Sequence, residues 1–243
     1  MTAETPTILA TSGGYRPGRR TELEMTPLLL HTVELARVEG RRARLCQIGT
    51  ANGDQRWFNA RFAEAGQLAG LEVSHLNLFN MPPTDDIDAF VGRHDIVWVN
   101  GGSVANLLAV WRVHGLGDVL RRAWEAGIVL SGVSAGSICW HYGGSTDSFG
   151  PELRIVQDGL GLLPYGNGVH YDSEAARRPT IHRAVGEGTL PLTYCTDDGV
   201  GLVYRGTELV EAVADRAGAG AYRVERLASG EVVEEPLPVR LLA

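Results

Sequence analysis

Ser134 stands in Gly132-Val133-Ser134-Ala135-Gly136, directly after the apolar run Ile128-Val129-Leu130-Ser131. Glycines two places either side of a serine let the backbone turn sharply from strand to helix, which strains the serine and leaves its Oγ exposed. A helix beginning there points its free N–H groups at any negative charge that forms beside the hydroxyl. The pattern predicts a nucleophile. Gly-x-Ser-x-Gly also arises as an ordinary small-residue turn, and this chain has 31 glycines. The β-branched run just ahead of the motif favours the nucleophile.

A serine hydroxyl needs a base to take its proton, and the base needs an acid to orient it. Of the seven histidines, His31, His75, His94 and His114 precede the serine and read as surface or capping residues. The apolar segment after Ser134 predicts a helix that also carries His141, about two turns along and out of reach. That leaves His170 and His182. His170 ends the glycine-rich approach Leu163-Pro164-Tyr165-Gly166-Asn167-Gly168-Val169, suited to a loop at the rim of a sheet, whereas His182 sits at a predicted helix start. His170 is the preferred base. For the acid, Asp147 and the pair Asp197-Asp198 in Cys195-Thr196-Asp197-Asp198-Gly199 both qualify, and each doubles as a turn residue. The order along the chain is Ser, His, Asp with Asp198 and Ser, Asp, His with Asp147; both stay open.

The elements that must position these residues follow from periodicity. Strands are predicted at Thr7–Thr11, Arg44–Ile48, 71–76, Ile96–Val99 and 128–131, and helices at 23–38, 54–68, 104–113 and 116–126. Strands alternating with helices mean right-handed βαβ units and a mostly parallel sheet covered on both faces, with ligands outside the carboxyl ends of the strands. Past Ser134 the pattern changes: 145–148 and 159–168 are turn-rich, and 192–204 and 209–224 read as shorter strands broken by Asp-Gly and Arg-Gly-Thr turns. The expectation is an α/β core with antiparallel strands added in the C-terminal third. No hinge or repeat divides the 243 residues, so residues 1–243 are read as one domain.

Composition narrows the function. Apolar residues at 44% and charged residues at 21% describe a soluble globular protein without a bilayer-spanning run or a signal-peptide core. Cys46, Cys139 and Cys195 form neither a paired framework nor a metal-spaced cluster, which fits a reducing cytoplasm. The net charge of −7 is diffuse, which disfavours nucleic acid as a partner. The chemistry calls for no metal and no cofactor, and the chain is expected to act as a monomer or homodimer.

Four segments together carry a family resemblance: Asn100-Gly101-Gly102-Ser103 with Leu107-Leu108; Gly132-Val133-Ser134-Ala135-Gly136-Ser137; Gly168-Val169-His170-Tyr171-Asp172; and Thr196-Asp197-Asp198-Gly199. In this order they resemble the peptidase E and cyanophycinase family of serine peptidases. The resemblance implies a three-layer α/β sandwich related to class I glutamine amidotransferases, with serine in place of the cysteine nucleophile. It implies Ser134 as nucleophile, His170 as base and Asp198 as the acid, where peptidase E has glutamate, with Asp147 matching an aspartate that the family also places near the site. The backbone N–H groups of Gly102 and Ala135 would form the oxyanion hole, with Gly101 shaping the loop.

Peptidase E acts on dipeptides with N-terminal aspartate, and reading a carboxylate side chain calls for a cation, best a guanidinium. Arg177 and Arg178 sit near where peptidase E has its aspartate-binding arginine; as a plain charged turn before Pro179 they would have no such role. The segment 171–178 is shorter than the peptidase E loop, and Val133 replaces a bulkier residue, so both an Asp-X dipeptidase and a broader aminopeptidase fit. An α/β-hydrolase esterase shares the elbow but places its histidine near the C-terminus, and none follows His182. A catalytically silent binding protein on the same fold is the third alternative.

Overall fold

The computed structural model describes residue 3 and residues 5–243. The chain begins with β1 (Thr7–Thr11), a short hairpin of β2 (Tyr15–Arg16) and β3 (Glu24–Met25), then α1 (Pro27–Ala36), β4 (Arg44–Ile48), α2 (Arg56–Leu68), β5 (Glu72–Leu76), α3 (Ile87–Val91) and β6 (Ile96–Val99). It continues through α4 (Val104–His114), α5 (Leu116–Glu125), β7 (Val129–Val133), α6 (Ala135–Ile138), β8 (His141–Thr146), β9 (Arg154–Val156) and β10 (Leu163–Gly168). The remaining elements are α7 (Arg177–Gly186), β11 (Thr193–Thr196), β12 (Val200–Arg205), β13 (Glu208–Ala214), β14 (Ala221–Arg226), β15 (Val232–Leu237) and β16 (Val239–Leu241).

The central sheet has eight strands in the order β16-β13-β12-β1-β7-β6-β4-β5. From β1 to β5 every pairing is parallel, whereas β12 joins β1, and β13 joins β12, antiparallel. Alternation along each strand splits its side chains between two apolar layers. Leu9, Leu45, Ile96, Trp98 and Val129 face the side of α1 and α2, where Leu28, Leu29 and Phe62 cover them. Ile8, Ala10, Cys46, Ile48, Val97, Val99 and Leu130 face the side of α4 and α5, with Leu107, Trp111 and Leu120. Both faces are dry, so these strands read as continuous apolar runs. Each fully buried leucine or isoleucine contributes about 1.5–3 kcal/mol of transfer free energy.

This is the expected mixed α/β architecture with a large, mostly parallel central sheet and antiparallel strands toward the C-terminus. The segment read as turn-rich is more regular than expected: β15-β14-β11-β10-β8-β9 form a second, six-stranded sheet. Its inner residues Leu163 and Ala221 join the layer beneath the central sheet, while α7 covers its other side with Ile181, Ala184 and Val185. Residues 23–38 are not one helix. Glu24–Met25 pairs with Tyr15–Arg16, and α1 starts only at Pro27, whose fixed φ suits a first helical position.

The helix after Ser134 is also shorter than expected. It stops at Ile138, and His141 opens β8 instead of riding the same helix. Gly143 and Gly144 run so close to the carbonyls of Val156 and Asn167 that a Cβ at either would collide, which ties this stretch into the second sheet. His141 is fully buried; its Nδ1–H donates to the Ser137 carbonyl at 2.9 Å and its Nε2 accepts from the Tyr204 hydroxyl at 3.3 Å. Among the described residues no helix is long and apolar enough to cross a membrane.

Candidate active site

The carboxyl ends of β1, β6 and β7 meet at Ser134. Its backbone has φ 57° and ψ −112°, a conformation rare for a residue with a Cβ and costing on the order of 1–3 kcal/mol. Hydrogen bonds hold it there. The Ser134 N–H donates to the Thr11 carbonyl at 3.0 Å, and the Ser134 carbonyl accepts from the N–H groups of Ser137 and Ile138 at 2.8 and 2.9 Å. The flanking glycines are needed for contact: a Cβ on Gly132 would press on the Gly136 and Val99 carbonyls, and one on Gly136 would strike Val99. The hydroxyl, half-exposed, faces a cleft of about 590 Å3.

His170 follows β10 and lines the same cleft. It too has positive φ, 54°, and its N–H donates to Ser12 Oγ at 3.2 Å. Ser12 ends β1 and is nearly fully buried; its Oγ lies 2.7 Å from Thr196 Oγ1, so one hydroxyl joins the first strand, the histidine and the end of β11. On the ring, Nδ1 lies 2.5 Å from Asp198 Oδ1, which leaves Nε2 as the nitrogen free for proton transfer. Among the described residues Ser134 Oγ has no hydrogen-bond partner, as is common where catalytic contacts tighten only around substrate.

The two aspartates of the pair separate cleanly. Asp197 turns inward, its Oδ2 accepting the Gly220 N–H at 2.8 Å, and burial raises its carboxyl above the ordinary range. Asp198 faces the cleft, and its backbone is clamped from both sides. Its N–H donates to Asp172 Oδ1 at 2.9 Å, its carbonyl accepts from Arg216 Nε at 3.0 Å, and Arg216 and Asp172 are themselves paired. Partial burial works to raise the Asp172 carboxyl, but the Asp198 N–H and the Arg216 guanidinium outweigh it and hold it below the usual carboxylate range. Asp147 is exposed at the end of β8 and does not line the cleft.

The loop after β6 reaches the same cleft through Gly101. Gly102 has φ 136°, and a Cβ there would strike the Ala51 carbonyl, so only glycine fits. Its N–H meets no backbone acceptor among the described residues, while Ala135, first in α6, has no intrahelical partner for its own N–H. Gly101 packs under the serine, where a Cβ would lie 3.2 Å from Ser134 Cβ. Of these three, Gly101 lines the cleft.

The arginines picked from sequence are elsewhere. Arg177 is 2% exposed and locked inside the fold: Nε donates to Glu174 at 2.7 Å, and Nη1 donates to the Ser145 carbonyl and to Ser145 Oγ. Arg178 pairs with Glu234 and lies over the rings of Tyr171 and Tyr222, at 4.4 and 4.8 Å. The cations that do line the cleft are Arg16, on the β2–β3 hairpin, and Arg216. Neither had a sequence signal beyond position. His182 bonds Glu234 at 2.8 Å and is no part of the cleft.

The model of peptidase family S51 matches residues 8–212, which includes the elbow, His170 and Asp198. The chain belongs to peptidase family S51. Among curated proteins, the chain is similar to the uncharacterized peptidase YgaJ of Bacillus subtilis (strain 168), 42% identical over 199 residues, covering 82% of this chain and 85% of that protein. Two solved structures share this fold at 16% identity. A peptidase from an acI-B1 Actinobacterium superposes with a TM-score of 0.68 over 98% of this chain and 96% of its own. A protein from Listeria monocytogenes EGD-e assigned to peptidase E gives 0.58 over 96% and 100%. The resemblance drawn from four short motifs is therefore one of family and fold.

Proposed function

We propose that this S51 member is a serine exopeptidase that hydrolyses the N-terminal peptide bond of dipeptides or short peptides. The observation that carries the reading is a strained serine, φ 57°, in one cleft with an imidazole whose Nδ1 lies 2.5 Å from a carboxylate. His170 Nε2 takes the Ser134 proton as Oγ attacks the carbonyl carbon. The oxyanion is held by the N–H groups of Gly102 and Ala135, each worth about 3 kcal/mol in comparable sites. His170 then gives the proton to the amide nitrogen as the C–N bond breaks, leaving an ester on Ser134. Water, deprotonated by the same nitrogen, attacks that ester, and the proton returns to Oγ as the acid product leaves.

Asp198 supports this cycle by fixing the imidazole and stabilising its charged form, and the Asp172–Arg216 clamp supports Asp198. Asp147, exposed and outside the cleft, is the weaker candidate. With Arg177 and Arg178 committed to other contacts, and the cleft's own Arg16 and Arg216 paired with Glu24 and Asp172, a broader aminopeptidase range is the better reading. A panel of Xaa-Ala dipeptides tests it: wild type should release the N-terminal amino acid and Ser134→Ala should not. Release at equal rates from both proteins would end the reading.

A further inference from the structure

We infer that Asp215 is the group that holds the free α-ammonium of the substrate, making this cleft selective for peptides with an unblocked N-terminus. The inference deepens the exopeptidase reading above and rests on it for the nature of the ligand.

Besides the Tyr15 phenol, five charged or titratable side chains line the cleft: Arg16, His170, Asp198, Asp215 and Arg216. Four of them have partners. Arg16 is bonded to Glu24 at 2.9 Å, Arg216 to Asp172 and the Asp198 carbonyl, and His170 to Asp198 at 2.5 Å. Asp215, half-buried just after β13, has no hydrogen bond to its carboxylate and no ion pair among the described residues. Asp215 is thus the one carboxylate lining the cleft that has no donor among the described residues. A carboxylate partly removed from water and without a donor is where a cation gains most, because the desolvation is already present before the ligand arrives.

Its placement is fixed. The Asp215 N–H donates to the Gly199 carbonyl at 2.9 Å, and the Gly199 N–H donates to the Ser12 carbonyl at 2.9 Å, so the residue is tied by two bonds to the strand end that also holds His170. Asp215 Oδ1 lies over Gly199, 2.6 Å from where a Cβ would stand, and Gly199 has φ 80°; only a glycine leaves room for the carboxylate beside Asp198. The neighbouring Arg216 does not neutralise it, because that guanidinium is directed at Asp172 and the Asp198 carbonyl. An ammonium with three donors, on the carbon next to the scissile carbonyl, is the compact cation that suits such a point.

The test uses binding, so that it does not depend on turnover. Affinities of Ala-Ala and N-acetyl-Ala-Ala are measured by calorimetry for Ser134→Ala and for Ser134→Ala/Asp215→Asn. The free amine should bind about tenfold or more tightly than the acetylated peptide in the first protein, the range of one charge-assisted hydrogen bond, and the preference should vanish in the second. Asp215→Glu, which keeps the charge, should retain part of it. The same preference in both proteins, or none in the first, overturns the assignment. A fluorophosphonate arm separates it from the nucleophile: labelling of Ser134 with no amine preference leaves the peptidase and removes Asp215, whereas an amine preference without labelling does the reverse.

Discussion

His170 and Asp198 meet through Nδ1 and Oδ1 at 2.5 Å, and the aspartate reaches that point because Asp172 and Arg216 grip its backbone. Replacing the carboxylate by an amide would leave the packing intact and offer the ring the wrong tautomer. Asp198→Asn should therefore lower kcat by up to about 10^4-fold with a small change in KM. Asp147→Asn should leave kcat within about twofold, since exposed substitutions away from the reacting groups are close to neutral. Steady-state kinetics of the two variants decide which acid serves.

Gly102→Ala is expected to damage the oxyanion loop specifically. The added methyl meets the Ala51 carbonyl at a φ of 136° that suits only glycine, so the loop and the N–H proposed to bind the oxyanion must shift. Loss of one such donor lowers kcat by about 10^2 to 10^3-fold. Kinetics beside a thermal melt separate this from unfolding: a fall in kcat with the melting temperature within a few degrees of wild type is the predicted pattern.

Arg177→Ala should act on stability and leave specificity alone. Removing the buried guanidinium leaves the Ser145 carbonyl without its donor and the more exposed Glu174 without its partner, a loss of about 1–3 kcal/mol. Urea unfolding should show that loss, while the ratio of Asp-Ala to Ala-Ala cleavage in the folded fraction stays as in wild type. A collapse of that ratio would return Arg177 to the substrate.

Burial pushes the His141 imidazole down to about 4 from an ordinary 6.5. Because the folded value is the lower one, the unfolded chain binds the extra proton between these limits, so this residue's contribution is full above pH 6.5 and is lost as pH falls toward 4. The integrated effect is about 3 kcal/mol for a fully buried group. His141→Gln, which can still bond the Ser137 carbonyl, should flatten the dependence of unfolding free energy on pH between 6.5 and 4. Equal slopes for both proteins would show that the ring takes up its proton without opening the core.

What the sequence disclosed was local. Ser134 was legible because a β-branched run and two glycines at fixed offsets define a strand-to-helix elbow by themselves, and the strand–helix alternation ahead of it implied a mostly parallel sheet. Beyond the elbow, the same apolar residues 138–140 suit either a longer helix or the approach to a strand. The choice was made by distant carbonyls of Val156 and Asn167 crowding Gly143 and Gly144. Arg177 illustrates a second limit: an arginine near the base in sequence is a natural carboxylate reader, yet this one is buried among Ser145 and Glu174. Asp215 and Arg216 carry no local pattern at all, and reach the cleft only because β12 and β13 pair antiparallel beside β1.

The hydroxyl of Ser134 as nucleophile is the centre of the account, and intact-protein mass spectrometry after treatment with a fluorophosphonate probe tests it most directly. One adduct per chain on wild type, mapped to the peptide containing Ser134 and absent from Ser134→Ala, is the expected result; adducts of equal yield on both proteins would contradict it.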